Sequence, residues 1–177
     1  IEASPRGLAW PPFPPSDKAG WDRIREVADF FEPYRETAGA GISKEKPVDL
    51  VGYRYPIIAT YANTSADEVY SLVKAIDESM DLIKNITGSS KNWAPDIAGK
   101  PPADAPWHDG AIKYLKEKGI WTAEHQAWQD KRLARLKKLE AGWADAQKKF
   151  KGQGDEAWVK FWEDYRVKTL GFQPTGE

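Results

Sequence analysis

Cysteine is absent from the 177 residues. That removes disulfides and thiolate metal sites from consideration and leaves the compartment open. Histidine is nearly as scarce. His108 and His125 are the only two, and neither stands in a His-x-x-x-His or carboxylate-paired spacing, so no metal centre is predicted. Neither sign of charge dominates: 26 Lys and Arg face 27 Asp and Glu. Nucleic acid and anionic membranes select a cationic surface, and they are excluded as main partners. The longest apolar run, Tyr55 to Ala62, falls far short of the about 20 residues that span a bilayer. Gly39-Ala40-Gly41 lacks the length and flanks of a phosphate-binding loop. Ser43 and Ser65 have no nucleophile-elbow context, and Glu117 and Glu124 have no sequence partner that would tune them as acid and base. The chain therefore carries no enzyme signature and no cofactor motif. It begins at Ile1 without a signal peptide, which reads as a processed or truncated start.

What is abundant is tryptophan, at nine residues. So many large rings must pack or build binding surfaces. Residues 1–16 are proline-rich and exclude a helix or central strand. They read as a rigid surface segment resting its aromatics on the body, or as a polyproline recognition motif. The spacing of Trp21, Ile24, Ala28 and Phe31 predicts a helix from Asp17 to about Phe31, ended by Pro33. Residues 37–47 read as a loop. Val48 to Tyr61 reads as strand, bent or interrupted at Pro56. Ser65 and Glu68 predict a reciprocal capping box for a helix along Val69, Leu72, Val73, Ile76, Met80 and Ile83, stopped near Gly88. A turn-rich loop covers 88–107. Asp109 is the expected cap of a helix over 110–118 with Gly119 at its end, and Thr122 the cap of the longest helix. Trp128, Leu133, Leu136, Leu139, Trp143, Ala146 and Phe150 give that helix an apolar face. Asp155 caps a last helix bearing Trp158, Phe161, Trp162 and Tyr165. One strand region among so many helices is too little for an independent parallel sheet, which needs several strands covered on both faces. The shortage points to further chain completing the fold.

Arg6 and Trp10 form one candidate binding pair. An arginine can grip a carboxylate through two parallel hydrogen bonds, and a tryptophan can wall the apolar part of a ligand. The plainer reading is an exposed charge and a packing anchor. Tyr53, Arg54 and Tyr55 pose the same choice, with alternation sending the two tyrosines to one face. Both histidines read as structural or solvent-facing. Lys131, Arg132, Arg135, Lys137 and Lys138 read as a solvated helix face.

Trp107-His108-Asp109-Gly110-Ala111-Ile112-Lys113-Tyr114-Leu115-Lys116-Glu117-Lys118-Gly119 resembles the HPGA-x-x-Y-x-x-E-x-G segment of TAXI-family solute receptors, the periplasmic binding proteins of TRAP transporters. Ile1 to Pro12, Val51 to Ala62 with the helix after it, and Gly119 to Gln126 resemble the same family. The resemblance implies an α/β fold: the helix-rich C-terminal part of a type II periplasmic binding protein, with few strands in this chain. Residues 1–50 would belong to one lobe and the hinge approach, 51–62 to an inter-lobe crossing strand, and 63–177 to a helical return to the other lobe. It implies a periplasmic receptor that makes and breaks no bond. It would bind a small organic acid or amino acid, deliver it to TRAP transporter membrane subunits, and be completed by an N-terminal half. Arg6 and Trp10, then Tyr53 and Tyr55, are the ligand-binding residues expected on this basis. Many members carry a tyrosine in the turn before the crossing strand. Thr37-Ala38-Gly39-Ala40-Gly41-Ile42 has none here. The alternative is an independent helical interaction module using the Trp-rich or Pro-rich surface.

Overall fold

The computed structural model describes residues 5–54 and 57–173, arranged as two compact units. The first comprises residues 5–54 with Pro102–Asp104. Its helix α1 spans Lys18–Val27, and the Asp17 carboxylate caps it by accepting from the Gly20 amide at 2.9 Å. Trp21 is the buried anchor of that helix, and its Nε1 donates to the Pro14 carbonyl at 3.1 Å. The helix stops four residues short of the expected Phe31, because Ala28 turns extended and the chain is already entering a strand that the sequence did not announce.

That strand, β1 (Glu32–Glu36), pairs antiparallel with β2 (Val48–Gly52), Pro33 lying opposite Val51 and Arg35 opposite Asp49. Proline cannot donate, so Pro33–Val51 is a pair that exchanges no hydrogen bonds, and alternation makes Arg35–Asp49 another. Two contacts agree. The Asp49 carbonyl accepts from the Phe13 amide at 2.8 Å, and the Arg35 and Asp49 side chains meet at 3.1 Å. Pro33 thus lies on the outer edge of the hairpin, where its missing donor costs nothing. Phe13 is the only N–H donor within Pro11–Pro15, and it secures the proline-rich segment to β2.

The expected strand to Tyr61 ends at Gly52, opposite the first residue of β1. Beyond it no pairing partner remains, and residues 57–60 have no regular structure. Ile57, Ile58 and Tyr61 are exposed despite their strand-forming side chains. Among the described residues these two strands are the only sheet. A lone hairpin is marginally stable at best, and every position of β2 is only half-buried.

The second unit comprises residues 57–101 and 105–173. Its helices are α2 (Ala66–Glu78), α3 (Met80–Ile83), α4 (Pro95–Ala98), α5 (Asp109–Glu117), α6 (Ala123–Lys149) and α7 (Asp155–Lys168), with a 3-10 turn at Ser90–Trp93. Helices α2 and α5 pack closely. Gly110 and Ala111 are both buried, and a Cβ on Gly110 would run into the Ala66 carbonyl oxygen and stand 2.9 Å from the Tyr70 amide nitrogen. Ile112, Leu115 and Trp121 form one core beneath Trp107 and Ile120. Ala146, Tyr165 and Leu170 form another between α6 and α7, flanked by Leu139, Trp158, Phe161, Trp162 and Phe172.

Several expected helix ends are corrected. Ser65 sits at the N-cap of α2 but makes no side-chain cap bond. The acids of the first turn stand at the positive end of the dipole instead, and Asp67 pairs with Lys113 at 3.1 Å. The stripe from Val69 to Ile83 is broken at Ser79, and Leu72 faces outward. Helix α5 is capped by His108 rather than Asp109: its Nδ1 accepts from the Gly110 amide at 3.1 Å. Thr122 caps α6 as expected, and His125 completes a capping box with it by accepting from the Thr122 amide. Both histidines are therefore structural acceptors. Gly154, at φ +83°, caps α7 in place of Asp155. On α6 the buried line runs through Gln129, Gly142 and Ala146, while Leu136 and Trp143 are exposed. The reason is close approach: Gly142 leaves room for Leu170, whose Cγ would stand 3.2 Å from a Cβ there.

Candidate functional site

The residues expected to touch ligand lie in the first unit. Arg6 is exposed. Trp10 donates from Nε1 to the Ala40 carbonyl at 2.8 Å, which fixes the indole while leaving it 40% exposed. Leu8 and Phe13 are exposed to a similar degree on the same proline-rich segment. Tyr53 is 59% exposed and stands edge-on to Phe31, centroids 6.2 Å apart. Tyr55 lies outside the described residues. Arg54, half-buried, donates from Nε to the Pro102 carbonyl at 3.1 Å. Burial depresses its pKa, and the Glu32 charge partly opposes that shift. Arg54 is thus a structural tie to Pro102–Asp104. Arg6, Trp10 and Tyr53 are each exposed in this unit.

The second unit holds the strongest electrostatics, and they are structural. Tyr114 is 3% exposed and donates to Asp77 at 2.7 Å, while Lys118 pairs with the same carboxylate oxygen at 3.0 Å. The Tyr114 bond, then Lys118, hold the Asp77 pKa below its ordinary value. Burial, then Asp77, push Tyr114 well above the usual phenol range. A depressed carboxylate stabilises the fold above its unfolded pKa of about 3.9, and that stability is lost as pH falls through the lower folded value. Asp77→Asn is accordingly expected to cost about 1–2 kcal/mol at neutral pH. In thermal denaturation, the gap between variant and native protein should close below about pH 4. A gap independent of pH would show that the carboxylate charge is immaterial.

Sequence reasoning gave no role to Gln129, which is 1% exposed. Its carboxamide accepts from the Trp107 amide at 3.0 Å and donates to the Trp107 carbonyl at 2.8 Å. It thereby anchors the loop before α5. Of the seven Lys and Arg residues on α6, Arg132 covers Trp128, and Arg135 and Lys138 cover Phe172, each within 5.4 Å of the ring centroid. They are more engaged than a purely solvated face. Among the described residues no group of acidic or histidine side chains could hold a metal, and no helix is long and apolar enough to cross a membrane.

The model of the NMT1-like family matches residues 15–119, more than half of the chain. This chain belongs to the NMT1-like family. That family is periplasmic-binding-protein-like, and its role is solute binding. No curated protein and no solved structure matches the chain. The family match takes in α1, the hairpin and α2 to α5, and ends at Gly119, the residue with φ +70° that closes α5. Tyr53 falls within it. Arg6, Trp10, α6 and α7 fall outside.

Proposed function

We propose that this protein is a TAXI-type solute receptor. It captures a small carboxylate in the periplasm and passes it to the membrane subunits of a TRAP transporter without making or breaking a bond. The observation that carries this reading is the family match across residues 15–119. The finer assignment draws on the Gly110–Gly119 segment. In this reading Arg6 supplies the carboxylate clamp, Trp10 walls the apolar part of the solute, and Tyr53 and Tyr55 add phenolic contacts. The fixed orientation of Trp10 supports it, because an indole already held by Ala40 loses little freedom on binding. The thin sheet and the exposed Ile57, Ile58 and Tyr61 fit a receptor whose sheet is completed by further chain.

Arg6→Ala in the full-length protein is expected to weaken binding of small carboxylates by about tenfold or more, measured by calorimetry. Unchanged affinity for every bound acid would remove Arg6 from the site. The exposed proline-rich segment favours a second reading, an interaction module presenting a polyproline surface to another protein. Mass spectrometry of small molecules released on denaturation separates the two, since only the receptor reading predicts a stoichiometric solute.

A further inference from the structure

Within the second unit, a groove of about 440 Å³ runs between α5 and α6, lined by Asp109, Ile112, Lys113, Lys116, Gln126, Gln129 and Leu133. Asp109, Ile112 and Lys116 share one face of α5 at spacings of three and four, and Gln126, Gln129 and Leu133 share one face of α6. Most polar groups around the groove are already engaged. Lys113 pairs with Asp67 and stands over the Tyr70 ring. Gln126 accepts from Trp121 and donates to Asp130, and Gln129 is held by Trp107. Asp109 and Lys116 differ: among the described residues neither side chain has a hydrogen bond or ion pair. They stand seven residues apart, about 10 Å along the helix axis. A lysine side chain in a helix leans back toward the N-terminus, here toward Asp109. The groove thus carries a negative end, a positive end and an apolar floor of Ile112 and Leu133 between them.

A simple anion is disfavoured by Asp109, and a simple cation by Lys116. A molecule bearing one charge of each sign, separated by a short methylene chain, satisfies both ends and covers the floor. We propose that this groove binds a linear zwitterion of the ω-amino acid type, its ammonium on Asp109, its carboxylate on Lys116 and its chain on Ile112 and Leu133. The proposal does not depend on the carboxylate site at Arg6.

The test uses ε-aminocaproate with the full-length protein, read by NMR shifts of the Gln126 and Gln129 side-chain amides. Saturable shifts are expected. Caproate and hexylamine, each lacking one charge, should bind at least about tenfold more weakly. Asp109→Asn and Lys116→Met should each weaken ε-aminocaproate by about fivefold or more, while Lys113→Met changes little. Both altered side chains are exposed, so the fold should persist, and retention of the other amide resonances checks this. Equal binding of caproate or hexylamine would overturn the proposal. So would the absence of saturable shifts, or affinity indifferent to Asp109 and Lys116. Arg6→Ala should leave these shifts unaltered, which separates failure here from failure of the receptor reading.

Discussion

Gly110→Ala is expected to destabilise the second unit by at least about 3 kcal/mol. The cause is backbone against backbone. A Cβ at Gly110 would collide with the Ala66 carbonyl and crowd the Tyr70 amide at 2.9 Å. Neither can swing aside as a long side chain could, because both are in or at the first turns of α2. Relief requires α5 to back away from α2. Retreat would strain three ties between them: Tyr114 to Asp77, Tyr70 to Glu117 at 2.6 Å, and Lys113 to Asp67. Alanine is the better helix former by about 1 kcal/mol, so propensity alone predicts a gain. Urea denaturation decides the sign, and a variant as stable as the native protein would mean that the two helices do not cross at this distance.

Leu115→Ala is expected to cost about 3–4 kcal/mol. Leu115 is 2% exposed, in a core with Ile112 and Trp121. Its methyl groups also fill the space left by Gly99, where a Cβ would lie 3.2 Å from Cδ1. The short helix α4, the end of α5 and the turn to α6 all close on this side chain, and both Ile120 and Trp121 donate their amides to the Leu115 carbonyl. The cavity left by truncation has rigid walls of tryptophan and backbone, so collapse recovers little. Leu115→Met, which conserves volume, should cost under about 1.5 kcal/mol. Equal losses for the two variants would mean that side-chain contact, rather than filled volume, sets the cost.

The helices were legible wherever one face is apolar and a breaker ends it. Trp21 and Ile24 in α1, Gly119 after α5 and Thr122 before α6 mark their elements as read. Strand β1 was not legible, because Glu32-Pro33-Tyr34-Arg35-Glu36 has little strand propensity of its own. It is a strand because β2 lies beside it and its proline falls on a pair that needs no donor. The capping roles of His108 and Gly154 were missed for a related reason. Residues at a cap compete locally, and His108 rather than Asp109 stands where its acceptor reaches the Gly110 amide. The expected face of α6 holds at Trp128, Leu133, Leu139, Ala146 and Phe150 and fails at Leu136 and Trp143, while Gly142, which a search for bulky residues passes over, marks the close helix crossing. The TAXI-like segment at Gly110–Gly119 now has a physical reading. Gly110 is the α2 contact, Tyr114 is the buried Asp77 donor, Glu117 accepts from Tyr70, and Gly119 holds the positive φ.

The Arg6 and Trp10 candidates rested on side-chain chemistry and on family likeness, and neither supplies a distance. Trp10 is oriented by Ala40 with its indole half-exposed, which is compatible with binding and does not specify a ligand. Solute choice depends on groups that surround a molecule from several sides, and a linear pattern does not reveal them.

The central claim is that this chain holds a small molecule and releases it unchanged. Calorimetric titration of the full-length protein with a panel of small carboxylates, followed by recovery of the ligand, tests it most directly. The account predicts saturable binding of at least one acid at one site per chain, with the acid recovered intact. Conversion of the acid to product, or no binding of any acid to a folded protein, would contradict it.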